Sequence, residues 1–148
     1  TLMDLTLRRA TEGDLDELAI MNKQLIEDEG SRNPMNREQL ADRMRGWLRE
    51  DWRIDLICLG NAIAGYALYR FEPDPYQEER QDVYLRQYFI KREFRNRGIG
   101  RQGIRQLMAE RFQGVGNVMI EVLESNPDGK LFWEKAGFQP YSTTMKRA

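Results

Sequence analysis

The stretch EFRNRGIGRQG, residues 93–103, places three arginines and three glycines in eleven residues and runs straight into IRQLMAERF, residues 104–112. The second segment has apolar residues Ile104, Leu107, Met108 and Phe112 at helical spacing, so the spacing predicts a helix. Before the stretch lies DVYLRQYFI, residues 82–90, rich in aromatic and β-branched residues and read as a central strand. Arginine and glycine are thus concentrated where a strand hands over to a helix. A helix start leaves N–H groups without partners and carries partial positive charge. Gly98 and Gly100 remove side chains that would cover those N–H groups, and Arg95, Arg97 and Arg101 add formal charge around them. Such a start suits an anion, and a pyrophosphate best of all.

Working outward, LTLRRA (5–10) alternates as a first strand. Thr11 and Asp14 have the spacing of a capping box. Leu15, Leu18, Ala19, Asn22, Leu25 and Ile26 mark a helix ending near Glu29, with one polar break. Gly30 and Pro34 stop it, Asn36 and Gln39 give a second cap, and Leu40, Met44, Trp47 and Leu48 form the stripe of a second helix. WRIDLICLG and AIAGYALYRFE read as strands joined by a turn at Gly60–Asn61. After the 104–112 helix, GVGNVMIEVLE gives another strand. SNPDGKLFWEKAGF gives a short helix, capped by Asn126 or Ser125, with Pro127 in its first turn and Gly137 at its end. FQPYSTTMKRA (138–148) reads as a final strand. The expected fold is α/β with a mixed, mostly antiparallel central sheet, a parallel splayed pair, and helices on both faces. No repeat or linker interrupts residues 1–148, so one domain is expected.

The 148 residues contain no histidine, which excludes Ser-His-Asp and Cys-His triads and histidine-based metal sites. No metal site is expected. The single Cys58, in an apolar run, reads as a buried small hydrophobe. Without a disulfide, a long apolar run or a signal-like leader, the expectation is a cytoplasmic protein that does not enter a membrane. Charge is segregated. Residues 11–30 hold seven acids against Lys23, and residues 71–82 hold five against Arg80. Residues 86–111 hold eight bases against Glu93 and Glu110. The overall pI of about 5.7 and the glycines near the helix start argue against a nucleic-acid partner.

Gly98, Gly100 and Gly103 satisfy G-x-G-x-x-G, but they come late in the chain, after several strands and two helices, and no suitable acid follows on a second parallel strand. No G-K-[ST] follows either, so this is not a P-loop. The segment Arg95–Gly100 instead resembles the [QR]-x-x-G-x-[GA] motif of the GNAT superfamily of N-acetyltransferases. FWEKAGF, residues 132–138, resembles that family's next helix, and the element order is similar over essentially the whole chain.

The resemblance implies an acetyl-CoA-dependent N-acetyltransferase acting on a small-molecule or peptide amine. Loop amides at Arg95, Asn96, Arg97, Gly98, Ile99 and Gly100, with those of Arg101 and Gln102, would hold the pyrophosphate of coenzyme A. Main chain at Phe89, Ile90 and Arg92 would pair with the pantetheine amides. Asn126 would bond the cofactor arm, with Lys130 and Phe132 near it. The gap between strands 83–90 and 117–123 would carry the thioester. Trp133 stands where many members have a tyrosine that protonates the leaving thiolate. Indole N–H has no usable acidity, so Trp133 is assigned to packing or cofactor contact. Tyr141, Ser125, Tyr88 and Tyr84 are the alternative proton donors, and Glu121, on the strand beside the splay, is the leading base. Direct attack of the amine on the thioester is expected. The acidic segments suggest a cationic acceptor, and the family commonly forms homodimers. The competing reading is an acetyl-CoA sensor without catalysis.

Overall fold

The structure is a computed structural model and describes residues 4–148. Local chemistry explains most element boundaries. The alternating segment forms β1 (Leu5–Arg9). Thr11 N–H donates to Asp14 Oδ2 at 2.8 Å, completing the capping box, and Arg8 grips the same carboxylate at 3.0 and 3.1 Å. The box heads one 3₁₀ turn that runs into α1 (Leu15–Glu29), which ends at Gly30 in the left-handed region, φ +67°. Asn36 and Gln39 exchange side-chain and main-chain hydrogen bonds at 2.9 Å to open α2 (Arg37–Arg49). The Gly60–Asn61 turn joins β2 (Arg53–Leu59) to β3 (Ala62–Pro73). Then follow β4 (Gln81–Ile90), α3 (Ile99–Glu110), β5 (Val118–Met119) and α4 (Pro127–Lys135).

The five strands lie in the order β1-β2-β3-β4-β5, antiparallel except for the parallel pair β4–β5. Strand alternation divides the core between the two faces. Ile54, Leu56, Cys58, Tyr66, Leu68 and Phe89 pack under α1 and α2, against Leu18, Met21, Leu25, Met44 and Trp47. Ala67, Tyr69, Val83 and Leu85 face the other way, against Ile104, Leu107 and Phe112 of the α3 segment. Helices therefore cover both faces, and Cys58 is buried as expected. On the α3 side Asp55 is buried with its charge answered: Tyr69 Oη donates at 2.5 Å and Arg111 at 3.2 Å.

Three expectations fail. β5 is only two residues long, with Val83 opposite Val118 and Tyr84 opposite Met119, because the chain beyond Met119 leaves β4. Residues 138–148 form no strand; strand propensity without a neighbour's ladder gives no sheet, and positions 139–148 are exposed. Met108 is 38% exposed rather than core, since the buried face of α3 runs through Ile99, Gly103, Ile104 and Leu107, and Met108 turns off it.

Candidate functional site

The parting of β4 from β5 builds the site. Beyond Tyr84, β4 pairs only with β3, so its other edge from residue 85 to 90 has no strand partner. A cleft of about 650 Å³ occupies the gap. Its walls are the β4 edge, the end of α1 at Asp28 and Glu29, the loop into α3, Ile120 and Glu121 beyond β5, and α4 from Asn126 to Trp133.

The loop after β4 is shaped by left-handed residues. Asn96 has φ +64° and Gly98, the N-cap of α3, has φ +76°. No side chain caps α3 and no acid lies in its first turn, so the N–H groups of Ile99, Gly100 and Arg101 open the helix uncapped. Nothing lies within 4 Å of where a Cβ on Gly98 would project. The three glycines of 98–103 have separate tasks. Gly98 supplies the left-handed turn. A Cβ on Gly100 would come within 3.0 Å of Phe132 Cε1, narrowing the neck between α3 and α4. A Cβ on Gly103 would overlap the Tyr88 hydroxyl, which donates to Gly100 O at 2.6 Å.

The arginines divide as well. Arg95 donates to Ile90 O at 2.8 Å and to Asp28 at 2.6 Å, and its guanidinium lies over Phe89. Arg92 binds Asp28 at 2.8 Å and Glu27 at 3.4 Å. These two arginines pin the loop to α1, and the acidic turn that the sequence directs at a cationic acceptor is engaged by them. Although burial pushes the Asp28 carboxyl up, Arg95 and Arg92 outweigh it and hold the group below the ordinary range. Arg97 and Arg101 pair with no carboxylate among the described residues and flank the helix start.

Phe89, Ile90, Arg95, Asn96, Gly98, Ile99, Gly100, Arg101, Glu121, Asn126, Phe132 and Trp133 all line the cleft. Asn126 Oδ1 caps α4 by accepting from Gly129 N at 3.0 Å, which leaves its amide NH₂ as the donor for a ligand. Phe132 stacks on Tyr88 at 6.3 Å and meets Trp133 edge-on at 5.0 Å; Trp133 also packs edge-on against Tyr88 and Phe138. Arg92, Arg97, Gln102, Lys130 and Tyr141 do not line it. Lys130 is paired with Glu124 at 2.6 Å, and Tyr141 is 83% exposed on the tail that forms no strand.

Four carboxyls line the cleft: Asp28 is held by the two arginines, Asp128 lies in the first turn of α4, and Glu29 and Glu121 reach it from opposite walls. Glu121 accepts from Tyr84 Oη at 2.5 Å across the splay, and burial, then Glu121, pushes the Tyr84 phenol up to about 12. Glu29 is half-buried, and burial, then the neighbouring Asp28 charge, pushes its carboxyl above the ordinary glutamate value. Its main-chain carbonyl accepts from Ser125 Oγ at 2.7 Å, closing α1 over the loop before α4. The sequence carries a signal for Glu29: spaced four from Leu25, it puts an acid on the core stripe of α1. Tyr88 cannot readily give up its proton, since burial raises its pKa strongly and Gly100 O accepts its O–H.

This cleft fits a long anionic arm. Uncapped N–H groups and the Arg101 guanidinium stand at one end, with Arg97 outside the lining, an open strand edge runs along the middle, and carboxyls stand on the walls. Among the described residues no group of three or more histidine, cysteine, aspartate or glutamate side chains could hold a metal ion, and no helix is long and apolar enough to cross a membrane.

The acetyltransferase (GNAT) family model matches residues 19–138. Among solved structures, one described as a "possible acetyltransferase" from Clostridium difficile 630 has a TM-score of 0.81 at 14% identity, covering 97% of this chain and 96% of its own. A Trypanosoma brucei acetyltransferase has a TM-score of 0.70 at 23% identity, with 98% and 99% covered. An aminoglycoside acetyltransferase from an uncultured soil metagenomic sample, solved with sisomicin, has a TM-score of 0.69 at 16% identity, with 98% and 96% covered. No curated protein matches the chain.

Proposed function

Because the chain belongs to the GNAT acetyltransferase family, we propose that it is an acetyl-CoA-dependent N-acetyltransferase that moves the acetyl group directly to a primary amine. The observation that carries the reading is the uncapped start of α3 facing the unpaired edge of β4 across one cleft. Acetyl-CoA supplies an activated acyl group on a thiol that leaves readily. The chain supplies the rest. N–H groups of Ile99, Gly100 and Arg101, with Arg97 and Arg101, hold the pyrophosphate. The β4 edge takes the pantetheine as a short added strand, with Asn126 as a side-chain donor.

An amine is mostly protonated at neutral pH, so a base must act before attack. Glu29 takes that role, because a carboxyl whose pKa is raised by burial is matched to the task. Glu121, held across the splay by Tyr84, orients the ammonium through its remaining lone pairs. Tyr84 keeps its own proton near neutrality. No acyl-enzyme is required, since Cys58 is buried outside the cleft lining.

The test is thiol release from acetyl-CoA over a panel of primary amines, with mass detection of the products. Glu29→Gln is expected to lower kcat about 100-fold, in the range of general base catalysis, with little change in the KM for acetyl-CoA. Saturable acetyl-CoA binding without turnover of any amine would favour the sensor reading, which Trp133 at the tyrosine position supports.

A further inference from the structure

β4 carries one residue too many for its partner. Leu68 of β3 lies opposite Gln87 and Tyr69 opposite Leu85, so Arg86 is the extra residue of a bulge. Bulges bend a strand and re-aim a side chain. Here the Arg86 guanidinium lies over both Trp47 and Trp52, at 5.0 and 5.5 Å from the ring centroids, and Arg86 lines the cleft. Arg43 covers Trp47 at 4.6 Å, and the two indoles are 6.0 Å apart. A guanidinium stacked by its face keeps its N–H donors at the edge and fixed in direction, and Arg86 is exposed, so those donors are open to a ligand.

Among the described residues neither Arg86 nor Arg43 pairs with a carboxylate. Arg43 donates one bond, 3.1 Å to the neutral Asn22 Oδ1, while its Nε and the Asn22 Nδ2 are buried without a partner; Asn22 is fully buried. Arg43 lies close enough to Arg86 for burial and then their repulsion to lower its pKa. Two cations drawn together with donors left over, and no anion between them, are an arrangement that an anion completes. The acids stand nearby: the Tyr84 hydroxyl that binds Glu121 also feels the Arg86 charge, and the Tyr66 hydroxyl feels both Glu29 and Arg43.

We propose that Arg86, backed by Arg43, binds an anionic group on the acceptor, so that the substrate is a small primary amine bearing a carboxylate or phosphate near the amine. Its ammonium faces Glu29 and Glu121 while its anion meets the stacked guanidiniums. This inference rests on the acetyl-transfer reading for its chemistry but not for its binding site, and the two separate in the test.

The experiment compares matched acceptors on the whole protein: glycine, serine and glutamate against their α-amides, O-phosphoethanolamine against ethanolamine, and spermidine as the cationic arm. The anionic member of a pair is expected to be acetylated with kcat/KM at least about ten-fold above its neutral partner, as one charge-assisted contact gives. The amino-acid and phosphate arms tell which anion is used. Arg86→Ala is expected to collapse that preference by raising the acceptor KM more than it lowers kcat, and Arg86→Lys to restore it in part. A packing role would shift melting temperature without touching the preference. Equal or better use of amides or spermidine, or a preference unchanged in Arg86→Ala, overturns the inference and leaves acetyl transfer standing. A second readout needs no turnover: indole emission titrated with acetate and with inorganic phosphate should change saturably, with affinity weakened at least about five-fold by Arg86→Ala. Absence of that Arg86-dependent change overturns the anion site. Its presence with no acetylated product keeps the site and overturns acetyl transfer.

Discussion

Gly100→Asp is expected to leave the protein folded and to remove much of its affinity for acetyl-CoA. The new Cβ would come 3.0 Å from Phe132 Cε1 and 3.3 Å from Cζ. Phe132 has little room to retreat, since it is stacked on Tyr88 and edge-on to Trp133. Shifting it costs about 1–3 kcal/mol. Against this, replacing glycine within a helix returns about 0.5–1 kcal/mol, and an acid in the first turn adds about 0.3–1 kcal/mol through the helix dipole. The fold therefore changes by no more than about 2 kcal/mol, a melting shift of a few degrees. Binding is affected far more directly. A carboxylate roughly 6 Å from one phosphate charge, at an effective dielectric between about 40 and 80, is repelled by roughly 0.7–1.4 kcal/mol. Two pyrophosphate charges double this, giving about a 10–100-fold rise in Kd. Gly100→Ala makes the same contact with Phe132 without the charge and should cost less than about ten-fold. Calorimetric titration with coenzyme A and with acetyl-CoA, alongside thermal melts, reads both quantities. A folded Gly100→Asp with unchanged Kd refutes the placement of the phosphates at the α3 start.

Gly103→Ala should do the opposite. It overlaps the Tyr88 hydroxyl and breaks its bond to Gly100 O, lowering the melting temperature by roughly 2–10 °C with a smaller effect on the KM for acetyl-CoA. The acid limb of kcat/KM should fall above the ordinary glutamate value of 4.5 and disappear in Glu29→Gln, as a pH-rate profile would report. The same substitution should raise stability at high pH. The folded-state pKa of Glu29 lies above its unfolded value, so the native state holds the extra proton between the two, and stability declines as pH climbs through that window. Glutamine removes the decline, so melts of the two proteins should agree in acid and part company above the window. Asp55→Ala leaves Arg111 and Tyr69 without their buried partner and should cost about 3–5 kcal/mol in denaturant titrations while coenzyme A affinity stays within about two-fold.

Helices and turns were legible because their causes are local. The Thr11–Asp14 box, the Asn36–Gln39 box, Gly30, Asn126 with Pro127, and Gly137 each fix a boundary within a few residues of themselves. β5 and the 138–148 segment were misread because a strand exists only through its neighbour, and alternation in VMIEVLE or YSTTM says nothing about whether β4 continues alongside. The open start of α3 was legible for the reason helices were: glycine at a helix start acts within one turn. The far wall was not. In the sequence Arg95 looks like a phosphate ligand and Arg92 like a main-chain contact for the pantetheine, yet both side chains reach some 64–67 residues back to Asp28, and Arg86 acquires its place from a bulge and two indoles distant in the chain.

The pairing of Asp28 with Arg92 and Arg95 ties the end of α1 to the loop that opens α3. Arg95, which lines the cleft, could serve either the carboxylate or an incoming phosphate, so whatever draws it to one would loosen the other. Since Glu29 follows Asp28 directly and feels its charge, a change at the loop is expected to reach the carboxyl proposed as the base. Linkage then works in both directions: if a filled cradle alters acceptor affinity by some factor, a bound acceptor alters the affinity of the cradle by the same factor. On the proposed reading the cofactor and acceptor walls share one set of charges, and their occupancies are expected to be coupled without any movement of the sheet between them.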